Sequence, residues 1–162
     1  MRKLAGFLLI ALVLTGCGTA ETFETLSDVP VQETLPQPRE IWVSLPEQSA
    51  LPVMESEGGT LYFCEDFEVA VQTLEAGDLK NTVTTLSGYD PDDLTMIETS
   101  RDGIDKYEFV WTMAGEMGQR MGRATILDDG YYHYCLVATI DAELVGEYQE
   151  VFNGIFETFQ LV

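Results

Sequence analysis

Hydrophobic and polar positions change their period several times along this chain, and each change marks an element. An apolar run covers Leu4 to Leu14, relieved only by Ala5, Gly6 and Ala11, and is too short to cross a bilayer as a permanent helix. From Gly18 to Glu40 no period holds: Phe23, Leu26, Val29, Val31 and Leu35 are scattered among Thr and Glu. Pro30, Pro36 and Pro38 forbid a sustained helix or central strand there, so this stretch reads as a flexible tether. Order is expected to begin at Ile41-Trp42-Val43-Ser44-Leu45, a short extended segment, followed by a loop to Gly58-Gly59. Between Thr60 and Glu75 the period is two, with Leu61, Phe63, Phe67, Val69 and Val71 on one parity and Glu65-Asp66 interrupting. Either a hairpin turning at Glu65-Asp66 or one long bulged strand fits.

The period then lengthens. Asp78 is a good N-cap, Leu79, Val83 and Leu86 fall on one helical stripe, and Gly88 suits the C-cap. A turn rich in aspartate (Asp90, Asp92, Asp93) follows, without the glycine and distal glutamate that a calcium loop needs. Strands are expected over Leu94–Thr99, Lys106–Met113, Gln119–Leu127 and Tyr131–Ile140, linked by tight turns at Arg101-Asp102-Gly103, Ala114–Gly118 and Asp129-Gly130. Tyr107, Phe109, Trp111 and Met113 share one face, as do Tyr132, Tyr134, Leu136, Ala138 and Ile140. Asp141 is expected to cap a closing helix whose stripe is Leu144, Tyr148, Val151, Ile155 and Phe159, widened by Phe152 and Phe156. The fold class is therefore α+β: an antiparallel sheet (hairpin, then meander) with a short helix and a C-terminal amphipathic helix packed on it. The element order resembles the PsbP-like fold over about Ile41 to Val162, including the ending on a helix and a Thr158-Phe159 pair. That resemblance carries no functional residue across.

Directly after the first apolar run stands Leu14-Thr15-Gly16-Cys17, preceded by the basic pair Arg2 and Lys3. These residues resemble the lipobox of bacterial lipoproteins. The resemblance implies a signal peptide over residues 1–16 and a diacylglycerol thioether on Cys17. It further implies an exported protein on the outer face of the bacterial cytoplasmic membrane or on the outer membrane. Residues 17–40 would then be the lipidated N-terminus and tether, and 41–162 a single ectodomain.

Charge narrows the partners. The excised segment carries Arg2 and Lys3 and no acid, so 6 of the 8 basic side chains remain against 28 acids, a formal charge of −22. Such a field repels phosphate backbones and anionic lipid headgroups, which excludes nucleic acid and leaves the membrane to be reached through the lipid. With Cys17 lipidated, Cys64 and Cys135 are left as a pair where thiols oxidise. A disulfide is expected between them, closing a loop of about 72 residues worth roughly 4 kcal/mol. Two separately buried thiols are the alternative.

Candidate chemistry is sparse. The single histidine, His133, shares a strand face with Cys135, and with Cys64 the two would supply three zinc ligands, but the paired CxxC spacing is absent. No nucleophile elbow or phosphate loop occurs, so no catalytic residue, metal or cofactor is assigned. Recognition is placed on Tyr131, His133 and Glu116, if the sheet face opposite the closing helix is open to a protein or small molecule. The expectation is a non-catalytic, membrane-anchored binding or accessory module. A small-ligand or metal carrier using His133 and Cys135 is the alternative.

Overall fold

The computed structural model describes residues 34–47, 52–56, 58–116 and 118–162; the expected signal segment, Cys17 and the expected tether up to residue 33 lie outside them. Leu35–Val162 form one compact unit of α+β class. Among the described residues, seven antiparallel strands run in the order β2-β3-β4-β8-β7-β6-β5. They are β2 (Pro52–Ser56), β3 (Gly59–Cys64), β4 (Phe67–Glu75), β5 (Met96–Arg101), β6 (Ile104–Ala114), β7 (Gln119–Asp128) and β8 (Tyr132–Asp141). A two-residue β1 (Ile41–Trp42) pairs separately with β9 (Gln160–Leu161).

Helix α1 (Leu79–Ser87) crosses one face and α2 (Val145–Thr158) the other. The ends of α1 follow the capping chemistry: Asp78 Oδ1 accepts from the Lys80 amide at 3.0 Å. Gly88 adopts the left-handed conformation (φ 80°), its N–H donating to Thr84 O. Helix α2 has no side-chain cap at its start; Asp141 instead ends β8, and its carboxylate lies 3.5 Å from Arg120 Nε.

The hairpin β3–β4 turns at Glu65-Asp66, which reverses one expectation about its faces. A two-residue loop pairs Cys64 with Phe67, Tyr62 with Val69 and Leu61 with Ala70, so the buried parity switches across the turn. Tyr62 and Cys64 join Phe67 and Val69 under α2, whereas Leu61 and Phe63 point to the α1 face. Under α2 the core is built from Phe67, Val69, Leu136, Ala138, Ile140, Phe152, Ile155 and Phe156. Phe67 meets Phe152 edge-on at 5.1 Å between centroids. Under α1 lie Val83, Phe109, Trp111, Ala124, Ile126, Cys135 and Val137. The Tyr107–Met113 stripe is thus covered by α1, and the Tyr132–Ile140 stripe by α2.

The compact unit begins at Leu35 rather than Ile41. Tyr132 donates its hydroxyl to Pro36 O (2.7 Å), the Arg39 amide donates to Tyr134 Oη (2.9 Å) and the Val162 amide to Glu40 O (2.9 Å). The end of the expected tether is therefore laid onto the domain.

Candidate functional site

His133 sits on β8 facing α1, 1% exposed. Its Nδ1 is 2.8 Å from Thr82 Oγ1 in α1, and its Nε2 is 3.3 Å from Asp128 Oδ2 at the end of β7. A carboxylate can only accept, so the arrangement fits a proton on Nε2 and an Nδ1 that accepts from the threonine hydroxyl. Nδ1 ties α1 to the sheet and Nε2 ties β8 to the end of β7, which, with the ring buried, removes His133 from any recognition surface.

Cys135 is fully buried two residues away on the same face, and burial pushes its thiol up to about 12. A thiol so protonated is neither a nucleophile nor a ready metal ligand. The Cys64–Cys135 disulfide is not formed. Cys64 packs under α2 and Cys135 under α1, on opposite sides of the sheet. Strand β4 lies between them: Cys64 is level with Phe67 and Ile140, Cys135 with Gln72, five positions along. That offset alone is about 17 Å, far beyond the reach of a bridge. Among the described residues, no group of three or more His, Cys, Asp or Glu side chains is placed to hold a metal ion.

Tyr131 is exposed in the β7–β8 turn and Glu116 in the β6–β7 turn, so the length of β7, about 30 Å, separates them. The three residues expected to form one surface are not brought together.

What the structure does leave open follows from widths. Seven strands span about 29 Å, while a helix with its side chains covers about 10 Å. With α1 packed over β6–β8 and its core reaching Ala70 and Leu74 of β4, no described helix covers the rest of that face over β2–β4. There a groove of about 380 Å³ is floored by Met54, Leu61, Ala70 and Leu74 and edged by Ser56 and Gln72. With α2 packed over β4, β8 and β7, no described helix covers the opposite face over β5 and β6. That groove, also about 380 Å³, is lined by Ile97, Val110, Glu108 and Arg123. Arg123 is held there by the Phe156 ring (4.3 Å to its centroid) and by Asn153 Oδ1 at 3.0 Å. The two openings lie at diagonally opposed corners. Met54 and Ile97 are more than 60% exposed.

Below the first groove, at the Glu65-Asp66 end, the face turns acidic. A cleft of about 520 Å³ is lined by Asp66, Glu68, Glu116 and Asp141 around Arg120. Arg120 Nη1 lies 3.5 Å from Glu68, and its Nε meets Asp141 at ion-pair distance without hydrogen-bond geometry. Thr139 Oγ1 donates to Glu68 at 3.1 Å. Tyr148 of α2 donates its hydroxyl to Asp66; that bond, with burial and nearby acids, pushes the phenol up to about 12. Of the residues proposed from sequence, Glu116 alone borders this region. The sequence places Leu61 and Phe63 on one parity with Phe67 and Val69; the pairing across a two-residue turn puts them on the opposite face.

No protein-family model and no curated protein matches the chain. Among solved structures it is similar to a Bacteroides thetaiotaomicron protein at 11% identity and a TM-score of 0.50, over 75% of this chain and 45% of that one. It is also similar to LpqN of Mycobacterium tuberculosis, described as involved in cell envelope biogenesis. That match has 13% identity and a TM-score of 0.47, over 78% and 86% of the two chains. A cyanobacterial PsbP from Synechocystis matches at 10% identity and a TM-score of 0.48, over 79% and 85%. The first likeness shows a shared fold; none of them shows a shared activity. The chain spans less than half the length of the Bacteroides protein.

Proposed function

We propose that this chain is an exported lipoprotein, anchored through a lipid on Cys17 to the outer face of a bacterial membrane, whose domain works by binding rather than catalysis. The observation that carries the binding part is the pair of sheet corners left open among the described residues, which present Met54 and Phe63 on one face and Ile97 and Val110 on the other. Exposed apolar positions grouped beside a helix, rimmed by charge, are the composition of a partner surface. His133 and Cys135, the residues best suited to chemistry, are committed to the interior. The lipobox supports the anchoring, and no helix among the described residues is long and apolar enough to cross a membrane.

Two measurements test this reading. In detergent phase partition of the full chain expressed in a bacterial host, wild type is expected in the detergent phase and Cys17→Ala in the aqueous phase. An unchanged partition of the variant sinks the anchoring. A photo-crosslinking residue placed in living cells at Phe63 or Ile97 is expected to give adducts that the same residue at Glu157, on the outer side of α2, does not. Equal labelling at all three positions sinks the binding module.

A further inference from the structure

The open corner over β2–β4 carries two chemistries on one continuous track. Ala70 floors the apolar groove and Glu68 borders the acidic cleft, two residues apart on β4 and on the same face, about 7 Å. Leu61 and Phe63 repeat the step on β3: Leu61 lies in the groove, and Phe63, half exposed, stands at the acidic end. Beside them, β2 is the outermost strand, exposed along all five residues, and among the described residues its outer backbone edge has no partner strand. A free strand edge accepts an extended chain through main-chain hydrogen bonds, and an alternation of floor chemistry selects its side chains.

Charge selects the sign. The cleft holds four carboxylates (Asp66, Glu68, Glu116, Asp141) against one guanidinium already shared by two of them. The chain as a whole carries a large negative charge, which disfavours a second copy of itself as the occupant. Resting on the reading of the domain as a binding module, we propose that this track docks an extended polypeptide segment of a partner protein. That segment bears an apolar side chain for the Met54–Leu61–Ala70 groove and a lysine or arginine two to four positions along for the carboxylate cleft. The apolar contact supplies affinity, and the basic residue supplies direction and on-rate.

Fluorescence anisotropy of the full-length protein in neutral detergent tests this with labelled peptides of sequence Thr-Val-Thr-Phe-Thr-Lys-Thr-Lys. The comparison peptides have both lysines changed to glutamate, or Val and Phe changed to serine. The first peptide is expected to bind, more weakly as salt is raised, and each comparison peptide about tenfold or more weaker. Met54→Asp, Phe63→Ser and Glu116→Lys, all at exposed positions, are expected to lose a similar factor, and Ile97→Ser none. Circular dichroism establishes that each variant is folded. Equal binding of the glutamate peptide, or wild-type affinity in all three corner variants, overturns the proposal. So does binding lost through Ile97→Ser instead, or no binding by any peptide. In those cases cross-links at Ile97 in cells keep the binding module standing, whereas their absence from both corners removes that reading as well.

Discussion

Trp111 lies flat on β7 because Gly122 has no side chain: a Cβ there would stand 2.3 Å from two of the indole ring carbons. The ring cannot swing aside, since it is 4% exposed in a packed core. Gly122→Ala is therefore expected to destabilise the domain by about 1–3 kcal/mol in urea unfolding. Adding Trp111→Leu should recover part of that loss, and strictly additive costs would show that the contact is not the cause. A second residue-scale device sits in the β7–β8 turn, where two successive aspartates reach in different directions. Asp128 ties the turn to His133 and, through it, to α1. Asp129 accepts from the Tyr131 and Tyr132 amides and from the Tyr134 hydroxyl, which in turn accepts from the Arg39 amide. Burial alone would raise the Asp129 carboxyl, but these bonds and Arg39 hold it below its ordinary value. A carboxyl depressed in the folded state stabilises at pH above its unfolded value, near 4, and that contribution fades as pH falls through the folded value. The stability gap between wild type and Asp129→Asn should accordingly be full at neutral pH and close on acidification. A gap that stays constant with pH would refute the assignment.

At the scale of elements, much of the chain was legible wherever one period and its punctuation agreed. The bounds of α1 follow from Asp78, Gly88 and the Leu79–Val83–Leu86 stripe, all of which the structure uses. The alternation in β6 and β8 likewise buries the residues that the pattern selects, and of the stripe expected for α2 the structure buries Phe152, Ile155, Phe156 and Phe159 but leaves Val151 exposed. What the pattern does not contain is which face each strand turns to its neighbour. Phe63 and Phe67 look equivalent along the chain, yet the two-residue turn between them sends one outward and the other into the core. The same blindness paired Cys64 with Cys135, because separation along strands and side of sheet are properties of register, not of composition. Peptide mapping without reduction is expected to show no Cys64–Cys135 link. Cys135, pushed up to about 12, should alkylate at mildly alkaline pH only as fast as the protein unfolds. Rapid modification in the native state would mean that α1 does not seal that face. The seal has its own test. Thr82→Val should leave Nδ1 of a buried imidazole without its partner and cost about 1–3 kcal/mol, seen as a lower urea midpoint.

At the scale of the whole domain, the deciding quantity among the described residues is the mismatch between a seven-stranded sheet and one helix per face. Each helix buries the strands it crosses, and because the helices lie over different parts of the sheet, the described residues leave one corner bare on each side. The β5–β6 corner keeps its charges paired: Lys106 and Arg123 both lie near Glu108, at 3.1 and 3.7 Å. At the far end of the β2–β4 corner, carboxylates outnumber cations, so the two openings present different chemistry to anything approaching the domain. This geometry makes a paired prediction about stability that needs no ligand. Phe63 and Phe67 flank the same turn, but Phe63 is half exposed and Phe67 is packed against Phe152 and Tyr148. Phe67→Ser should remove about 3–5 kcal/mol, the cost of emptying a core aromatic site. Phe63→Ser should change the unfolding free energy by no more than about 1 kcal/mol, as at other surface positions. A large loss from Phe63→Ser would mean that the domain already covers this corner with its own chain, and the surface on which a partner is proposed to lie would not exist.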